Sequence, residues 1–220
     1  MNVKRIFFTL LGLLGGIFFI SDFLLSAPPL TITSDKMKII SQGEVSEFIG
    51  NVLIVQGNLT IKADVVKAND KTGLISAKND IIVHYSSDSV STYAWGDSAE
   101  YDKNRSTGVL IGNVRVKRHL SESATDFVTL TCDRLDIMSA GERLRGIGNA
   151  RIVHPSGIAE SDEVFYDNAK DEIILSGTPA RIQKHDGGTS TEYYGDRIIL
   201  DIKTENVTIT GNVRTKIMMK

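Results

Sequence analysis

The residues able to do acid–base, nucleophilic or metal chemistry are four histidines, 27 carboxylates and one cysteine. His84, His119, His154 and His185 are 35, 35 and 31 residues apart, unlike the short intervals at which histidines share a metal. The chain has no Gly-x-Ser-x-Gly elbow, no Gly-Lys-Ser/Thr phosphate loop and no His-Glu-x-x-His pair. Cys132 has no second cysteine to pair with and, in the run Thr129-Leu130-Thr131-Cys132, reads as a small buried apolar residue. No pair of carboxylates stands out for general acid–base work. The expectation is therefore no catalytic residue, no metal, no cofactor and no enzyme.

The aspartates are nevertheless ordered. Asp35, Asp97, Asp133 and Asp196 are followed fifteen to seventeen residues later by Gly50-Asn51-Val52, Gly112-Asn113-Val114, Gly148-Asn149-Ala150 and Gly211-Asn212-Val213. Two copies are weaker. Asp162 leads to Gly177-Thr178-Pro179, and Asp64 leads, read as one residue short, to Lys78-Asn79-Asp80. Successive aspartates lie 29, 33, 36, 29 and 34 residues apart, the mark of a repeat in which no unit buries its apolar face alone. Calcium-binding β-rolls need a nonapeptide with glycines beside the Asp, which this period lacks. The aspartates are expected to be structural, each accepting backbone N–H bonds at a turn, and the Gly-Asn pairs are expected to be the turns themselves.

The elements holding these residues read as strands. Beyond Pro29 no segment sustains a 3.6 period, and apolar residues alternate in short runs such as Val52/Ile54, Leu59/Ile61, Ile81/Val83, Val114/Val116 and Val207/Ile209. Two and four residues beyond each Asp stand Met37/Ile39, Val66/Ala68, Ala99/Tyr101, Leu135/Ile137, Val164/Tyr166 and Ile198/Leu200, all on one face because strand period is two. The first and third residues after the Asn continue that face, with Ala180/Ile182 shifted by one in the fifth copy. The reading is all-β: roughly 16 short strands in stacked two-strand repeats, a sandwich or roll whose two ends expose unpaired backbone.

A net charge of −2 offers no basic stripe, so no nucleic-acid partner is expected. Lys4 and Arg5 precede an almost wholly apolar stretch from Ile6 to Leu25, and Ser26-Ala27 then leads into Pro28-Pro29. Residues 1–27 read as a secretory signal peptide or, uncleaved, as a membrane anchor helix. Either way residues 28–220 are expected across the inner membrane as a single domain, in the periplasm where the envelope has two membranes.

The stretch Ile32-Thr33-Ser34-Asp35-Lys36-Met37, with Phe48-Ile49-Gly50-Asn51-Val52, Gln56-Gly57-Asn58 and Leu59-Thr60-Ile61-Lys62-Ala63-Asp64, resembles the opening of the LptA/OstA-type lipopolysaccharide transport proteins. Gly96-Asp97, Tyr101-Asp102, Gly112-Asn113-Val114 and Gly211-Asn212-Val213 resemble that family's internal repeats, so the resemblance covers about residues 31–216. It implies a twisted β-jellyroll, open at both ends, that cradles lipid A acyl chains without catalysis. It also implies end-to-end joining with its own kind, and with jellyroll partners at the inner and outer membranes, into a periplasmic bridge. On that reading the acyl chains lie along Met37, Ile39, Val52, Ile54, Val114, Val116, Leu135, Ile137, Ile198 and Leu200, with sugars and phosphates at the mouth near Lys and Arg. The apolar N-terminus also suits the related inner-membrane-anchored LptC component, whereas the Gln56-Gly57-Asn58 turn suits the soluble bridge. A ligand-free polymerising scaffold, and a polysaccharide-acting enzyme with carboxylates clustered on an outer face, are the alternatives from other classes.

Overall fold

A computed structural model describes residues 30–40, 44–87, 90–119, 127–138, 142–155, 157–186, 189–201, 203–204 and 206–219. The expected signal or anchor at 1–27 lies outside them. The described residues form fourteen strands in one antiparallel sheet. Two short strands open it, β1 (Thr31–Thr33) and β2 (Lys36–Ile40). Long strands follow: β3 (Val45–Gln56), β4 (Leu59–Asn69), β5 (Leu74–Ser87), β6 (Val90–Asp102), β7 (Thr107–His119) and β8 (Phe127–Met138). The next four are β9 (Arg143–His154), β10 (Gly157–Asp167), β11 (Glu172–Asp186) and β12 (Thr189–Asp201). Two short strands close it, β13 (Asn206–Thr210) and β14 (Arg214–Met219).

The connectivity is a meander from β3 to β12. At one edge β1 and β2 both pair with β3, and at the other β13 and β14 both pair with β12. Each edge is thus one line of chain interrupted at its Asp-bearing or Gly-Asn-bearing bend. The sheet does not close on itself.

The Gly-Asn pairs are not hairpin turns, and this corrects the expectation of some 16 short strands. They lie in mid-strand, where register shifts interrupt the ladder between Ile49 and Val52, Ile111 and Val114, and Ile147 and Ala150. Gly112 and Asn113 both hold positive φ, +80° and +47°, and two successive left-handed residues bend a strand without ending it. With a bend in each long strand, the sheet folds along one line into two arms. The halves 52–56, 114–119, 150–154 and 180–186 belong to the first arm. The second arm contains 45–49, 107–111, 143–147 and 172–176. The hairpins lie at the far ends of the arms, several held by side-chain caps: Thr72 N–H donates to Asn69 Oδ1 at 3.0 Å and Asn104 N–H to Asp102 Oδ1 at 2.9 Å.

The Asp64 copy is in register after all. Asn79 (φ +63°) takes the Gly place and Asp80 (φ +49°) the Asn place, so nothing is missing; Asn supplies the left-handed conformation that Gly supplies elsewhere. The fifth copy is shifted as read, with Ala180 and Ile182 buried beyond Pro179.

Cross-strand pairing places the alternating apolar residues on one inner face. On the first arm Ile54, Ile61, Val83, Ala94, Val116, Leu130, Ile152, Ala159 and Ile182 are successive partners. On the second, Met37, Phe48, Val66, Ala77, Ala99, Leu110 and Leu135 are. Apart from Ile61 and Met37, both sets join one core cluster. A single sheet buries one face only if something covers it, and here each arm covers the other.

Candidate functional site

At the bend, four of the six aspartates are held by the asparagine sixteen residues on. Asn51 donates its side-chain amide to Asp35 at 2.9 Å, and Asn113 and Asn149 donate to Asp97 and Asp133 at 3.0 Å. Asn212 donates to both carboxylate oxygens of Asp196, at 2.9 and 3.1 Å. The expected backbone donor occurs at Asp162, which accepts from Thr178 N–H at 3.2 Å. Among the described residues no group of three or more His, Cys, Asp or Glu could hold a metal ion, and the aspartates are structural clamps along the fold line.

The interior is where a ligand could be held, and its accessibility changes along the body. From β7 to β12 it is sealed: Val114, Val116, Leu135, Ile152, Ile173, Ile182, Ile198 and Leu200 are all fully buried. Arg118 on the first arm and Tyr166 on the second interact electrostatically across this closed section. Burial pushes the Tyr166 hydroxyl up to about 12 and draws Arg118 below its ordinary value. Tyr166 donates to Asn168 Oδ1 at 2.8 Å. Burial likewise pushes the Cys132 thiol up to about 11.

Over the first strands the same face is open. Val52, Val66 and Ile81, next to the bend, are buried and make a floor. Farther out Ile32, Phe48, Ile54, Ile75 and Val83 are only half-buried, and at the lip Met37 is 51% and Ile39 67% exposed. The result is an apolar cleft between the arms at the N-terminal end. It is continuous with the sealed core and ends at an edge whose outer strands β1 and β2 pair only with β3. At the opposite edge Val207, Val213 and Ile217 are exposed.

The ten residues expected to line a groove thus fall into three environments. Met37 and Ile39 stand at the open lip, Ile54 and Ile137 are half-buried against the core, and Val52, Val114, Val116, Leu135, Ile198 and Leu200 lie within it. Phe48, Ile75, Val83 and Ile61 also line the cleft but were not among those ten. The signal for Phe48 and Ile75 was the same alternation run backwards, two and four residues before each bend. A separate depression of about 540 Å³ on the outer surface, lined by Arg151, Glu160, Arg181 and Tyr194 among others, is polar. Glu160 there pairs with Arg151 at 3.4 Å and Arg181 at 2.7 Å.

A meandering sheet folded along a clamped corner, apolar within and open at its first strands, is a β-jellyroll with a lipid-like interior. The chain belongs to the family of LptA/(LptD N-terminal domain) LPS transport proteins, whose pattern matches residues 31–136 and again 95–206. The second match begins close to Asp97, at the third copy of the repeat. Among solved structures, LptH from Pseudomonas aeruginosa is similar over 88% of this chain and 96% of its own, at 11% identity and a TM-score of 0.29. LptH is described as the LptA-homologous periplasmic component of the conserved lipopolysaccharide transport device. No match was found among curated proteins.

Proposed function

We propose that this protein is a non-enzymatic periplasmic carrier that holds lipopolysaccharide by its acyl chains in the cleft between the two arms. The observation that carries the reading is the graded burial of one apolar face, sealed from β7 to β12 and open at Met37, Ile39, Phe48 and Ile54. Acyl chains enter at the open end and lie against Ile54, Ile75 and Val83 over the floor of Val52, Val66 and Ile81. Each methylene moved from water to such a surface contributes about 0.8 kcal/mol. Core residues such as Val114, Leu135 and Ile198 keep the arms together at the inner limit of the cleft. The phosphorylated sugars remain outside.

The exposed apolar residues at the two edges support end-to-end assembly. Ile39 and Ile40 at the first edge, and Val207 and Ile217 at the last, accompany strands that lack a partner on one side among the described residues. A second copy, or a related jellyroll at either membrane, adds there by strand pairing and continues the apolar interior. These edges also favour a second reading, a polymerising scaffold without ligand. The experiment that separates the two is saturable binding of labelled lipopolysaccharide by the chain and by Ile39→Asp, with β-sheet content checked by circular dichroism. Binding by the parent chain that weakens at least tenfold in a folded Ile39→Asp supports the carrier. Filaments with no lipopolysaccharide binding support the scaffold.

A further inference from the structure

The outer surfaces of the two arms differ in chemistry. The outer face of an antiparallel sheet is ordinarily polar and mixed in charge, and the second arm fits that description. There Glu47 pairs with Lys38 and Lys67, Arg134 with Asp136, Arg143 with Asp167 and Arg145 with Glu163. The first arm differs across β4 to β9. Cross-strand pairing sets Lys62, Ile82, Trp95, Arg115, Thr131 and Arg151 in one outward row. The row beside it runs Thr60, His84, Tyr93, Lys117, Thr129 and Val153. Neither row contains a carboxylate. Among the described residues, the bend aspartates lie on one side and Glu160 of β10 at the end.

Aromatic rings fill the same surface. His84 stacks on Tyr93 with centroids 4.1 Å apart, Tyr93 on Trp95 at 5.7 Å, and the Arg115 guanidinium lies 5.5 Å from the Trp95 ring. Lys117 Nζ sits 4.0 Å from the Phe127 ring. The stacked, half-buried rings lie beside exposed Lys62, Arg115 and Arg151. In a chain of net charge −2 with a single Trp, this concentration of cations and rings needs an anionic, amphipathic counterpart.

We infer that this face docks on the headgroup layer of an anionic bilayer. Indole and phenol rings settle at headgroup level, and Arg matches phosphate oxygens in a bidentate fork. The apolar run Ile6–Leu25 ends six residues before Thr31, so a bilayer holding it lies within about 20 Å of β1. The bend aspartates, Asp97 and Asp133 among them clamped to their asparagines, border the face and make it lie with the fold line turned away from the lipid. This docking is independent of acyl-chain binding in the cleft.

Trp95 is the only tryptophan and reports on the face directly. The full chain is bound to nanodiscs of phosphatidylglycerol or of phosphatidylcholine alone, each doped with headgroup-spin-labelled lipid, and Trp95 quenching is read. Strong quenching with phosphatidylglycerol is expected, relieved by 0.5 M salt and weak with phosphatidylcholine. Each basic residue at an anionic surface contributes about fivefold to the docking equilibrium. Lys62→Glu with Arg151→Glu, neither of which touches Trp95, should therefore weaken docking at least ~25-fold. Arg143→Glu with Arg145→Glu, on the other arm, should leave it unchanged. Equal quenching in the two lipids, or loss in both pairs of variants alike, overturns the assignment. A lipopolysaccharide-binding assay on the same variants keeps this outcome separate from that of the cleft.

Discussion

Asn113 reaches back sixteen residues to place its side-chain amide 3.0 Å from the Asp97 carboxylate. Gly112 just before it leaves no room for a side chain, because a Cβ there would collide with the same carboxylate. The pair ties β6 to β7 at the point where both strands bend. Its repetition at Asp35, Asp133 and Asp196 turns a flat meander into two facing arms.

The clamp can be tested by a double-mutant cycle. Asp97→Ala removes a hydrogen bond to a charged group at a solvent-exposed site and should cost about 1–2 kcal/mol in urea unfolding. Gly112→Ala should cost more, since φ of +80° adds about 1–2 kcal/mol of backbone strain to the collision. Once Asp97 is Ala the two closest contacts, with the carboxylate, are gone and only the Cβ at 2.9 Å remains. The combined variant should then lose clearly less than the sum of the two; strict additivity would mean that the bend does not depend on this contact.

Burial at 1% for Leu135 against 67% for Ile39 predicts opposite phenotypes for the same truncation. Leu135→Ala opens a cavity in the sealed section and should destabilise by about 2–5 kcal/mol. Ile39→Ala should change stability by no more than about 0.5 kcal/mol while weakening lipopolysaccharide binding. Denaturant midpoints and binding isotherms on the two variants measure both quantities. A stability loss at Ile39 as large as that at Leu135 would contradict the open lip.

Alkali should unfold the protein through two buried acids. Cys132 ordinarily loses its proton near 9 and Tyr166 near 10, but burial raises them to about 11 and about 12. Both stay protonated longer in the folded chain than in the unfolded one. Stability from this source is therefore intact below pH ~9 and falls as pH rises through 9–12. Tyr166→Phe should flatten the upper part of that fall, at the cost of the bond to Asn168. Native Cys132 should also resist thiol reagents at pH 8 and react only on unfolding.

Assembly should depend on the last edge. Ile217 is 63% exposed on β14, which pairs only with β12. Ile217→Lys places a charge where another jellyroll would continue the interior, so light scattering should show loss of concentration-dependent growth with lipopolysaccharide binding by single copies retained. Growth unchanged by the substitution would move assembly away from this edge.

Strand character, the shared apolar face and the family were legible in the chain because each rests on local chemistry. Alternation puts Leu135 and Ile137, or Ile198 and Leu200, on one side of any extended strand, whatever that strand packs against. The recurring Asp and Gly-Asn fixed where the backbone must take left-handed conformations. They did not reveal that the chain continues as a strand through them, because a Gly-Asn pair serves a hairpin and a mid-strand bend equally well; only cross-strand pairing on both sides of Asn113 distinguishes the two. Nor could alternation tell the open Ile39 from the sealed Leu200. That difference comes from how far apart the two arms stand at each strand. Likewise Lys62, Trp95, Arg115 and Arg151 are scattered over ninety residues of sequence, and only the register of six neighbouring strands lays them side by side on one face.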